Sequence, residues 1–145
     1  MRIADYSKER FDNCLMLFDK NCPQFFAENE RKEYSNYLMN LTDSYKVVLS
    51  NDTVIAAFGI RLINTSNRCR ITWIMVCPNE KGKGLGTKLM AYIKQYAQEA
   101  GSVAIDIAAS HLSAPFFAQF DAKEITYLHN GWGVDMHRVD MAINL

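Results

Sequence analysis

The chain carries no net charge: 16 Lys and Arg offset 16 Asp and Glu over 145 residues. That balance excludes the global field that draws a protein to nucleic acid or to an anionic membrane surface. It favours a small or locally recognised partner over a polyanion. Long apolar runs are also missing. Stretches such as Thr53 to Ile60 are far too short to span a bilayer. The opening MRIADYSKERF is charged and lacks the apolar centre of a signal peptide. Cysteine is sparse and unpatterned. Cys14, Cys22, Cys69 and Cys77 lie in apolar or regular segments and form no CxxC pair, which argues against a zinc site or disulfide framework. Reduced thiols and a cytoplasmic setting are the expectation, with no metal. No linker, internal repeat or low-complexity tract divides the chain, so residues 1–145 are expected to form one domain.

What is present is a regular alternation of element signals. Arg2 to Tyr6 reads as a first strand. Ser7 is placed to cap a helix whose stripe is Phe11, Cys14, Leu15, Leu17 and Phe18, broken at Pro23. A second helix is expected over Glu28 to Met39. Strands follow at Tyr45 to Leu49, Thr53 to Ile63 and Arg68 to Cys77, separated by short polar turns that predict an antiparallel meander. Leu85, Leu89, Tyr92, Ile93, Tyr96, Ala97 and Ala100 then recur at helical spacing up to Gly101. Val103 to Ala108 reads as a buried strand, parallel to an earlier one because a helix intervenes. A short helix over Ser110 to Phe120 follows. Two strands, Lys123 to His129 and Val134 to Leu145, flank the loop Asn130-Gly131-Trp132-Gly133. The pattern predicts a mixed α/β (α+β) domain with a mostly antiparallel central sheet flanked by helices.

Glycine is scarce, with 7 in the chain, and three of them alternate at Gly82, Gly84 and Gly86, directly before the long helix. A helix N-terminus entered through such a turn directs free backbone N–H groups at an anion. A P-loop needs four residues between its first Gly and a Gly-Lys-Ser/Thr, and that spacing is absent. A dinucleotide fingerprint needs a glycine where Thr87 stands, directly after a strand, whereas Pro78 to Lys81 intervene here. The ribose-binding acid of that fingerprint would fall at Asp106, inside a strand rather than at its end.

A third alternative accounts for the spacing. Val76 to Leu89, VCPNEKGKGLGTKL, resembles the acyl-CoA-binding motif Arg/Gln-x-x-Gly-x-Gly/Ala of the GNAT (GCN5-related) N-acetyltransferase superfamily. Lys81 takes the Arg/Gln place, and Gly84 and Gly86 take the two glycine places. The element order of the whole chain is similar to that family's. The resemblance implies the GNAT-like acyl-CoA N-acyltransferase fold, acetyl-CoA as co-substrate, and an amine that attacks the thioester directly in a ternary complex. It places CoA against Met75, Val76, Lys81, Gly82, Lys83, Gly84, Leu85, Gly86, Thr87, Ser110 and Phe117, with the Val76 N–H as oxyanion donor.

One position departs from the family. The Tyr that many members use to protonate the departing thiolate is matched by Phe117, while Ser110 and Ser113 stand for the family's Asn and Ala. The general acid is therefore open. His111 has a reference pKa of about 6.5, suited to taking a proton from an ammonium near neutrality, and competes with a plain helix-start histidine. Asp106 is either a base, an ammonium anchor or a residue on a polar sheet edge. Phe25, Trp73, Tyr127 and Trp132 are candidate walls of an acceptor pocket, each weighed against ordinary packing. The expected partner is a small-molecule or peptide amine, without nucleic acid or membrane, and a homodimer through the C-terminal strands is conceivable. The competing function is an acyl-CoA-binding sensor or regulatory module without efficient turnover.

Overall fold

A computed structural model describes every residue from Met1 to Leu145. Strand β1 (Arg2–Asp5) leads through a 3₁₀ turn, Lys8–Arg10, into α1 (Phe11–Asn21), and α2 spans Glu30–Met39. The meander β2 (Ser44–Ser50), β3 (Thr53–Ile63) and β4 (Arg68–Val76) comes next. A second 3₁₀ turn, Pro78–Glu80, leads to α3 (Leu85–Glu99), followed by β5 (Ala104–Ser110), α4 (Ala114–Ala118), β6 (Lys123–Gly133) and β7 (Met136–Asn144). The strands form one seven-stranded sheet in the order β1-β2-β3-β4-β5-β7-β6, antiparallel throughout except for the β4–β5 pair. The mixed, mostly antiparallel sheet and its parallel crossover agree with the expectation from strand spacing.

α3 packs on β4 and β5. Leu85, Leu89, Met90, Ile93 and Ala97 are its buried residues, the stripe that helical periodicity predicts. Each large aliphatic on that stripe contributes about 1.5–3 kcal/mol through burial. The helix ends as expected at Gly101: Ser102 N–H donates to Ala97 O and Gly101 N–H to Gln98 O, the paired bonds of a Schellman ending. On the N-terminal half, α1 packs against α2, β3 and β4. Phe18, Phe26, Tyr34 and Trp73 meet there with ring centroids 5.0–6.5 Å apart.

Four boundaries differ from the sequence reading. Ser7 makes no side-chain cap, because its carbonyl instead accepts Arg10 N–H to close the 3₁₀ turn. α2 starts at Glu30, since Ala27 to Asn29 are used in the entry turn. Only Ala114–Ala118 is α-helical after β5. The expected loop at Asn130 to Gly133 belongs to β6. Its register against β7 shifts between Leu128 and Gly133, so residues 129–132 bulge out and the hairpin turns at Val134 and Asp135 instead.

Candidate active site

The β4–β5 pair positions everything at the site. Its ladder runs from Arg68↔Ala104 to Ile71↔Ile107 and stops, although β4 continues to Val76 and β5 to Ser110. The two strands diverge beyond that point because β4 carries a bulge. Ala57 pairs with Met75 and Gly59 with Thr72, so β4 holds one extra residue there. Trp73, at the bulge, has φ +46°, a conformation costly for a bulky side chain. Buried hydroxyls hold it in place. Tyr45 OH donates to Trp73 O at 2.9 Å, which leaves Tyr34 OH as the donor to Tyr45 at 2.7 Å.

Between the diverging strands lies a cavity of about 540 Å³. Its walls come from β4 (Arg70 to Val76), β5 (Ile107 to Ser110), the turn before α3 (Glu80, Lys81, Gly82), the α4 region (Leu112, Ser113, Phe116, Phe117), the segment after α1 (Asn21, Phe25, Phe26), Glu30 and Trp132. Cys77 N–H donates to Ile55 O across β3. Strand alternation therefore turns the Val76 N–H the other way, to the edge that β5 has left. Met75 lies opposite Ala57 and faces β3 with its main chain, so it reaches the groove through its side chain.

At the glycine turn, no N–H from Gly82 to Thr87 donates to any group of the chain, the first helical bond being Lys88 N–H to Gly84 O. No acidic side chain occupies the first turn of α3 and no side chain caps it. Gly82 at φ +78° and Gly84 at φ +81° supply the left-handed residues of a backbone nest, and a Cβ on either would meet nothing within 4 Å. The geometry suits an anion. Gly86 serves a different purpose, since a Cβ there would stand 2.6 Å from the Phe116 ring. Lys81 lies with Nζ 3.4 Å from the centroid of the Phe25 ring, and burial lowers its pKa. Lys83 stands 3.9 Å from Glu80.

The far end of the groove is closed by two segments in contact. Asn29 Nδ2 donates to Trp132 O at 3.0 Å, and Trp132 Nε1 donates to Ala109 O at 2.9 Å. The β6 bulge thus reaches over the sheet to the loop between α1 and α2, with Phe25, Phe26, Trp73 and Trp132 lining the cavity.

Of the sequence candidates, Lys83, Gly84, Leu85 and Thr87 belong to the glycine turn beside the cavity rather than to its wall, and Asp106, His111 and Tyr127 lie on other surfaces. Asp106 is held by Arg68, which donates through Nε at 2.8 Å and through Nη2 at 2.6 Å, so its carboxylate is committed to the sheet surface. His111 Nδ1 accepts His137 N–H at 3.1 Å and its ring lies 4.5 Å from that of His137; neither ring lines the cavity. Tyr127 is 52% exposed on β6, beside His137. The structure thus does not bring Asp106, His111 or Tyr127 to the cavity wall. No tyrosine lines the cavity, and the hydroxyls of Ser110 and Ser113 bond to each other at 3.1 Å.

One residue of the site carried no signal in the spacing. Glu30, 3% exposed, lines the cavity and accepts Ala27 N–H at 2.7 Å. Burial pushes its carboxyl up to about 7, the Ala27 N–H opposing and Glu33 adding to the rise. Its place in the first turn of a polar helix looks ordinary, and only the packing of residues 21–30 over β4 buries it.

Residues 14–121 match the Acetyltransferase (GNAT) family. The histone acetyltransferase GCN5 of Oryza sativa subsp. japonica is 28% identical over 138 residues, covering 91% of this chain. The matched region is 27% of that protein's length, so the chain spans about a quarter of this relative. Among solved structures, an aminoglycoside 6'-N-acetyltransferase complexed with coenzyme A superposes with a TM-score of 0.78, covering 99% of this chain and 97% of its own at 14% identity. The ribosomal-protein-S18-alanine N-acetyltransferase of Escherichia coli gives 0.78 at 15% identity, over 99% and 92%. Ard1 of Thermoplasma volcanium gives 0.81 at 12%, over 99% and 97%. At these identities the structural likeness is one of fold, and the family match extends through β4, the glycine turn and α3 to α4. The chain belongs to the GNAT family of acetyltransferases.

Proposed function

We propose that the protein transfers an acetyl group from acetyl-CoA to an amine by direct attack in a ternary complex, with residues 1–145 acting as one unit. The observation that carries this reading is the groove between β4 and β5, entered beside a nest of undonated N–H groups. Gly82 to Thr87, with Lys81 and Lys83, receive the pyrophosphate of the co-substrate. The groove edge of β4 and the side chains of Met75, Ser110 and Phe117 receive its pantetheine arm. The Val76 N–H donates to the thioester oxygen as negative charge develops there, a contact typically worth about 2.7–4 kcal/mol. Phe25, Trp73 and Trp132 enclose the acceptor. With Phe117 where the family Tyr stands, water protonates the departing thiolate.

The exposed edge strand β6, with Ile125, Tyr127 and Leu128 uncovered, supports a homodimer. No helix is long and apolar enough to cross a membrane; with four free cysteines, a cytoplasmic setting completes the proposal.

Thermal shift separates the ligands. A compound at 100 times its dissociation constant stabilises by about 2.7 kcal/mol. CoA and acetyl-CoA are expected to raise the melting temperature and nicotinamide dinucleotides to leave it unchanged; the reverse would sink the reading. Phe117 also favours a second reading, a CoA-binding sensor. Tight acetyl-CoA binding without thiol release against any primary amine would select it.

A further inference from the structure

Glu30 is a charge for which the groove supplies no partner. One carboxylate oxygen takes the Ala27 N–H, and no group of the chain donates to the other. No buried side-chain oxygen in the molecule lacks a partner, so this second oxygen keeps some accessible surface, and Glu30 is one of the residues that line the groove. No Lys, Arg or His nitrogen pairs with it. The titratable groups acting on or beside it are Glu33 on its own helix and, on the preceding segment, Cys22, whose thiol is pushed up by burial and by Glu28, Asp19 and Glu30. None is a cation. Around it the cavity is walled by Phe25, Phe26, Trp73 and Trp132, while Arg70 and Lys81 bring positive charge to the same groove.

The geometry points to Glu30 as the residue that receives the acceptor's ammonium and takes its proton, and to an acceptor that is a primary amine with one positive charge on an apolar body. This rests on the acetyl-transfer reading. The ammonium gives one proton to the Glu30 carboxylate, leaving a neutral amine and a carboxylic acid. The amine nitrogen bonds to the thioester carbonyl carbon and the C–S bond breaks, the thiolate leaving with the electron pair. The nitrogen's second proton passes through water to the thiolate, and Glu30 returns its own proton to solvent. The products are the N-acetyl amide, CoA thiol and one proton. A carboxyl held at about 7 is matched to this task near neutrality.

A purely structural role is also available, because the bond from Ala27 N–H fastens the turn that leads into α2. Glu30→Gln keeps that bond and removes the charge. With the protein saturated in CoA, calorimetric titration of 2-phenylethylamine is expected to give an affinity at least about tenfold weaker in E30Q, with 2-phenylethanol unaffected. In turnover, E30Q is expected to lose about 10²–10⁴-fold in kcat together with the acid limb of kcat/KM near pH 7. Equal amine affinity and an unchanged pH limb would reduce Glu30 to fastening that turn and overturn the proposal. A higher kcat/KM for spermidine than for 2-phenylethylamine would overturn the acceptor class. Wild-type protein that binds acetyl-CoA but turns over no amine counts against acetyl transfer instead, and the amine titration then decides Glu30 by itself. Should E30Q fail to fold, isotope-labelled glutamate in the wild type serves. A carboxyl resonance that titrates near neutrality and moves on adding the amine supports the assignment; its absence overturns it.

Discussion

Two residues tie the site to stability, Trp73 through its backbone and Glu30 through its charge, and both line the same groove. Trp73 has a backbone conformation that a large side chain resists, and the Tyr34–Tyr45 hydroxyl chain holds its carbonyl. Tyr45→Phe removes that donor and leaves the Tyr34 hydroxyl without its acceptor. The expected loss is about 1–3 kcal/mol in urea denaturation, with a lower kcat/KM because the bulge sets the groove. Glu30 works through its proton. Its folded pKa of about 7 stands above the ordinary 4.5, so between those values the folded chain holds a proton that the unfolded chain lacks. The stability this supplies is complete below pH 4.5 and lost as pH rises through 7. Relative to E30Q, the wild type should lose about 1–3 kcal/mol across that window, the lower figure allowing for solvent contact through the groove. Denaturation curves at pH 5 and pH 8 measure it; a constant difference would contradict the assignment. At this scale the sequence was least legible. Nothing near Glu30 in the chain announces a buried carboxylate. Asp106 and His111 sit close to the motif in sequence, yet Arg68 and the β7 main chain claim them.

At the scale of elements, the groove depends on β4 and the start of α3. Periodicity was enough to find α3, its buried stripe and its Gly101 ending, because those follow from local spacing. The glycine turn was equally plain, since φ near +80° leaves a chemical mark. The bulge leaves none: a tryptophan at φ +46° is indistinguishable in sequence from any strand residue, and the β6 bulge is hidden for the same reason. Gly84→Ala forces a Cβ into the left-handed region, at about 1–2 kcal/mol, although that Cβ would meet nothing within 4 Å. The expected outcome is weaker CoA binding by calorimetry with the helical circular dichroism intact. Gly86→Ala should act differently, displacing Phe116 from the cavity wall and lowering turnover more than CoA affinity.

For the molecule as a whole, the sheet divides into β1 to β4 and β5 to β7, whose only strand pairing is the short β4–β5 ladder. The polar pairs Arg68–Asp106 and Arg138–Asp140 lie outside the cavity. Asp106→Asn and His111→Ala should therefore keep kcat/KM within about twofold; a loss as large as that expected for E30Q would restore them as bases. If the β6 edge pairs two copies, sedimentation velocity will return twice the mass of the 16.6 kDa chain, and Ile125→Lys will return the single mass. Fold class, the succession of elements and the glycine turn were legible because they follow from patterning along the chain, whereas the place of β7 between β5 and β6 was not. At the far end of the groove Phe25, Trp73 and Trp132 were candidates from the sequence and line the cavity, whereas Glu30 was not a candidate, because its burial arises only from packing in three dimensions. The most direct measurement of the central claim is incubation with acetyl-CoA labelled in its acetyl group and 2-phenylethylamine, followed by mass spectrometry of the amine. The account predicts labelled N-acetyl amide formed in step with free thiol. Label found only as acetate, or still on CoA, would contradict it.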